Sequence, residues 1–114
     1  MNLLDTSAVV EMVRQKTFKP GIISHITLFE VLRGIEDEKR PRAKALLEES
    51  FRVLNFDNSI VEAYCVLYRK LKKEGALLPD ADLLIAATAI AHDLILVTDD
   101  EHFLKLKKLG LRLE

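Results

Sequence analysis

The residues of this chain that could do chemistry are acids. Asp5 ends a short apolar run, Asn2-Leu3-Leu4. Asp80 and Asp82 stand directly ahead of Leu83-Leu84-Ile85-Ala86-Ala87-Thr88-Ala89, a stretch that is small or apolar on every side. Asp99 and Asp100 follow Leu94-Ile95-Leu96-Val97-Thr98, and Glu30 closes Thr27-Leu28-Phe29-Glu30. Carboxylates are seldom buried unless they are paired or bound to metal. Three or four in one place repel one another unless cations sit between them. A donor set made only of oxygen selects hard divalent ions. With no cysteine pair and no closely spaced histidine pair, it favours Mg²⁺ or Mn²⁺ over Zn²⁺. His25, His92 and His102 are too scattered to form a histidine metal site. Ser7 and Ser24 lack a nucleophile-elbow context, and there is no glycine-rich phosphate loop.

Each acid also has an ordinary structural role open to it. Thr27 and Glu30 fit a capping box, as do Thr98 and Glu101. Asp80, Asp82 and Asp99 could complement helix N-termini. Taken singly, capping accounts for Glu30 and Asp99 and serves Asp82 as well as a site role does. It does not account for Asp5, a carboxylate at the end of a buried strand with no local partner.

The elements that must position these acids alternate between strand and helix. Met1–Asp5, Gly21–Ser24, Phe51–Phe56 and Leu94–Val97 read as strands, with Leu111–Leu113 as a last edge strand. Between them, helices are predicted from Thr6 or Ser7 to about Lys16, and from Thr27 to Gly34. Others run within Asp37–Ser50, from Asp57 or Ser59 to about Glu74, and from Asp80 to about His92. A short one is capped by Thr98. On the long helix, Val61, Tyr64, Cys65, Leu67, Tyr68 and Leu71 form the expected apolar stripe, with Cys65 as a small core residue. Alternation of this kind gives an α/β fold with a mostly parallel sheet. Ligands of such sheets bind beyond the carboxyl ends of the strands. Asp5, Asp99 and Asp100 belong to that edge, and Glu30 and Asp82 reach it if their helices begin there.

At 114 residues the chain suits one domain, and 49% apolar residues are enough to fill its core. A net charge of −1 exerts no global pull on nucleic acid, so any cationic track must be local. Two candidate groups are Arg33, Lys39, Arg40, Arg42 and Lys44, and Lys105, Lys107, Lys108 and Arg112. Interleaved acids favour internal ion pairing for the first. One cysteine rules out an intramolecular disulfide. No apolar run approaches the roughly 18 residues of a membrane span, so a cytoplasmic location is expected.

Four blocks together resemble the PIN domain: Leu3-Leu4-Asp5-Thr6-Ser7, Thr27–Gly34, Asp82-Leu83-Leu84-Ile85-Ala86-Ala87, and Val97-Thr98-Asp99-Asp100-Glu101-His102-Phe103. More narrowly, they resemble the VapC-type toxins of prokaryotic toxin–antitoxin pairs, over essentially the whole chain and in the right order. The resemblance implies a single PIN-like domain over residues 1–114, built as a three-layer α/β sandwich. It implies a Mg²⁺- or Mn²⁺-dependent endoribonuclease with an RNA substrate, a cognate antitoxin and a homodimeric state. Asp5, Glu30 and Asp82 take the family's first three acidic places. The form Thr-x-Asp-x-His-Phe gives Asp100 the fourth, beside Asp99, which is also acidic. On this reading Asp5 and Asp82 ligate metal, and Asp100 ligates metal or holds a bound water. Glu30 ligates a second ion or orients the attacking water. The alternatives within the fold are an RNA-processing nuclease and a catalytically silent binding module. A phospho-accepting receiver domain fits less well, because the first strand carries no adjacent acidic pair and no late strand ends in lysine.

Overall fold

Three-residue apolar strands followed by helices leave the chain one economical arrangement, a sheet buried on both faces. The computed structural model describes residues 1–114 and has that arrangement. In chain order the elements are β1 (Asn2–Leu4), α1 (Thr6–Gln15), β2 (Ile22–Ser24), α2 (His25–Leu32), α3 (Arg40–Ser50) and β3 (Arg52–Leu54). They continue with α4 (Asn58–Glu74), α5 (Asp80–Ala91), β4 (Ile95–Val97), a 3₁₀ helix (Glu101–Leu109) and β5 (Arg112–Leu113). The strands lie in the order β3-β2-β1-β4-β5 and every pairing is parallel. In the register, Leu3 stands opposite Ile22 and Leu96, and Leu4 opposite Ile23 and Val97.

Successive strand residues point to opposite faces. Leu3, Ile22 and Leu96 therefore join Leu67, Leu71, Leu83 and Phe103 on the side of α4, α5 and the 3₁₀ helix. Leu4 and Ile23 join Val9, Leu28, Leu32 and Leu47 on the side of α1, α2 and α3. This is the expected three-layer sandwich. In α5, Leu83 and Ile85 through Ala89 are all buried, and the alanines let neighbouring elements approach closely. The hydroxyl of Thr88 is satisfied inside this core by donating to Leu84 O at 2.7 Å. In the 3₁₀ helix the inward residues Phe103, Leu106 and Leu109 recur every three positions, the period of that helix, so one side faces the core.

Several helix starts differ from the predicted ones. Asp5, rather than Thr6 or Ser7, caps α1. Helix α2 begins at His25 with Ser24 as its cap, because β2 runs into it without a loop. Glu30 therefore lies in the second turn, and the Thr27–Glu30 capping box does not form. Pro79 precedes α5 as a cap without a side-chain hydrogen bond, which makes Asp80 the first helical residue. Asp100, rather than Thr98, caps the 3₁₀ helix, so the Thr98–Glu101 box does not form either. On α4 the buried stripe is Ile60, Leu67 and Leu71, with Tyr64 and Tyr68 half-buried. Val61 and Cys65 are exposed, so Cys65 is not a core residue. The apolar face is rotated because Ile60, at N3, is the residue that points inward.

Candidate active site

The carboxyl ends of β1 and β4 are tied together by hydroxyls. Asp5 follows β1 and is only 4% exposed. Its Oδ1 accepts from Ala8 N at 2.8 Å and from Ser7 Oγ at 2.9 Å, while the Thr98 hydroxyl donates to Oδ2. Thr98 Oγ1 in turn accepts Asp100 N at 2.9 Å, and Asp100 Oδ1 accepts His102 N at 2.9 Å. One residue at the end of a buried strand thus fixes both the entry to α1 and the turn after β4. Burial of its carboxylate is offset by three donors.

Glu30 reaches the same place from α2. Thr6 Oγ1 donates to Glu30 Oε1 at 2.6 Å, and Thr27 Oγ1 lies 3.2 Å from Thr6 Oγ1. Arg33 stands 3.9 Å from the other Glu30 oxygen but is largely exposed, so this contact neutralises little. Asp82 comes from the first turn of α5 and is half-buried. No protein donor bonds to its carboxylate. Its carboxyl is held above the ordinary value of 3.8. Desolvation is the main cause, followed by the charges of Asp100, Glu30 and Asp5; His102 opposes them.

Asp5, Glu30, Asp82 and Asp100 line one cavity of about 500 Å³, with Glu11 and Arg14 at its rim. The four acids named from sequence are therefore brought together. Asp99 does not line that cavity: it is exposed and borders, with Lys107, a neighbouring depression that Asp100 also lines. Asp80 is also outside the cavity and accepts the Tyr64 hydroxyl at 2.7 Å. That hydrogen bond is the chief reason the Tyr64 phenol is pushed up to about 12. From sequence, Thr6, Thr27 and Thr98 read as helix caps; in the structure their hydroxyls serve the site acids instead, Thr98 at Asp5, Thr6 at Glu30 and Thr27 beside Thr6.

The cavity offers only oxygen donors, which suits a hard divalent cation and does not suit Zn²⁺. No three of its carboxylates close into a ready-made cage. Mg²⁺ tolerates such a site well, because it keeps several of its waters and takes only one or two carboxylates.

A five-stranded parallel sheet with carboxylates gathered beyond its central strands defines a class, and the sequence falls within it. Residues 3–109 match the PIN domain model, and the chain belongs to the PIN domain family. Among proteins of known role, it is 36% identical to ribonuclease VapC1 of Methanocaldococcus jannaschii, covering 97% of this chain and 85% of that protein. It is 32% identical to ribonuclease VapC4 of Mycobacterium tuberculosis, covering 71% of this chain and 67% of that one. The fold superposes on the structure of VapBC-1 from nontypeable Haemophilus influenzae with a TM-score of 0.84 at 25% identity, covering 99% and 96% of the two chains.

Proposed function

We propose that this chain is a Mg²⁺- or Mn²⁺-dependent endoribonuclease and the toxin of a toxin–antitoxin pair. The observation that carries the reading is Asp82, a half-buried carboxylate with no protein donor that faces three other acids across one cavity. Left alone, that arrangement destabilises itself; a cation resolves it. The named relatives support RNA as the substrate, and the likeness to VapBC-1 supports an antitoxin as partner.

Asp5 and Asp82 would hold the ion. Asp5 is aimed by its three donors, and Asp82 has both oxygens free for the task. Asp100 holds a further ligand position or an ordered water from the start of the 3₁₀ helix. Glu30, kept in place by Thr6, orients the attacking water with its remaining oxygen. A bound divalent ion supplies a Lewis acid that lowers the pKa of water and offsets charge on the leaving oxygen. It also reverses the sign of a cavity that would otherwise repel a phosphodiester.

The test is cleavage of a mixed RNA pool with Mn²⁺, with chelator, and with Asp5→Asn and Asp82→Asn. Cleavage should need the metal and fall at least about a hundredfold in each variant. Equal cleavage in chelator, or full activity of both variants, would refute the proposal.

A further inference from the structure

The end of α4 reads Arg69-Lys70-Leu71-Lys72-Lys73, four exposed cations around one buried leucine. Together with Tyr68 they line one shallow, open groove on the exposed side of the helix. Elsewhere Arg14, Arg33, Arg40, Lys44, Lys108 and Arg112 have an acidic partner, while Lys16, Lys19, Lys39, Arg42, Arg52, Lys105 and Lys107 do not; what sets α4 apart is four such cations within five residues beside a ring. None of Arg69, Lys70, Lys72 and Lys73 has an acidic partner; the ion pair made by α4 here is that of Glu74. Complementing the helix dipole accounts for Lys72 and Lys73 in the last turn. It does not account for Arg69 and Lys70 a turn earlier, or for an aromatic ring among them.

The groove is linked through two rings to the start of α5. Lys72 Nζ lies 5.7 Å from the centre of the Tyr68 ring. That ring stacks on Tyr64, with centroids 6.1 Å apart and planes 27° from parallel. The Tyr64 hydroxyl donates to Asp80, two residues before Asp82 on α5. Cations and two stacked rings thus follow one another along α4 and reach Asp80, the first residue of α5. Unpaired cations beside an aromatic face are the combination that holds single-stranded nucleic acid, phosphates on the cations and a base on the ring. A protein partner would want an apolar centre, and Tyr68 is the sole apolar lining residue.

We infer that this groove binds single-stranded RNA outside the cleaved bond, one base lying on Tyr68 and the flanking phosphates on Arg69, Lys70, Lys72 and Lys73. That RNA held there serves the acidic cavity rests on the nuclease reading above. Two variants test it: Tyr68→Leu, which keeps the apolar contact, and a fourfold Lys/Arg→Gln variant of exposed side chains only. Binding of a labelled unstructured RNA is measured in chelator across a salt series. The fourfold variant should lower the slope of log affinity against log salt by about 3, at roughly 0.7 per phosphate contact. Tyr68→Leu should weaken single-stranded RNA about tenfold, leaving the slope and duplex RNA unchanged. Wild-type affinity and slope in both variants would overturn the groove. In Mn²⁺, both variants should raise KM for long RNA at unchanged kcat, with turnover of a dinucleotide the same as wild type. A wild type that cleaves neither RNA, with binding still lost in the variants, refutes the nuclease reading and leaves the groove standing. Normal cleavage with unaltered binding in the variants refutes the groove alone.

Discussion

Asp5 and Asp82 share a cavity, and the same substitution should move their stabilities in opposite directions. Asp82→Asn removes a half-buried charge that meets Asp100, Glu30 and Asp5 and has no donor of its own. The amide keeps the shape. In metal-free protein the change should stabilise by about 1 kcal/mol, the usual gain from relieving such a conflict. For a domain near this size that is a rise in Tm of about 4 °C. The pH dependence has a definite sign. Asp82 titrates above 3.8 in the folded state, so its protonated form contributes stability at low pH, and that contribution is lost as pH rises through the raised value. The gain from Asp82→Asn is therefore absent below 3.8 and complete at neutral pH. Asp5→Asn should do the reverse. Its carboxylate accepts from Ser7, Ala8 and Thr98, and an amide cannot accept at both ends. Losing one charge-assisted bond at a buried site costs about 2 kcal/mol, or about 8 °C. The assay is thermal melting in chelator at several pH values. A clear fall in Tm for Asp82→Asn, or a gain that does not change with pH, would make Asp82 a structural residue and refute the reasoning.

Two further outcomes are expected. Asp100→Asn should abolish Mn²⁺-dependent RNA cleavage and Asp99→Asn should leave it within about twofold, since only Asp100 lines the cavity; the assay is run at one salt concentration because RNA affinity depends on salt. Asp57→Ala should lower Tm at neutral pH, with a smaller loss in acid, where only the neutral cap is removed. The Asp57 carboxyl sits below 3.8 because Ser59 and the Ile60 amide donate to it, with a smaller contribution from His92, so the stabilisation from its charge is present above 3.8 and disappears as pH falls through the lowered value.

The layers and the four cavity acids were legible because each rests on a local pattern: short apolar runs, a wholly apolar helix, acids at strand ends. What sequence missed is what depends on which neighbour arrives. Glu30 looked like a cap for Thr27, yet Thr6, distant along the chain, supplies its hydrogen bond. Thr98 looked like a helix cap, but Asp5 draws its hydroxyl away and Asp100 takes over the capping role. Cys65 matched helical spacing, and only the orientation of α4 on the sheet could place it outside. The α4 cations went unremarked because a basic last turn is ordinary; that they stay unpaired is a tertiary fact.

The hydrogen bond from Thr98 to Asp5 spans 93 positions, and β1, made before both its neighbours, lies between β2 and β4. During synthesis β1 can pair early with β2 but must wait for β4 to fill its other edge. Asp5 gains its third donor, and the cavity gains Asp82 and Asp100, only after α5 and β4 have been made. Closing contacts between such distant segments is slow compared with forming local ones. A ribosome bearing a partial chain is therefore not exposed to an assembled site, and a prematurely terminated product would lack one altogether.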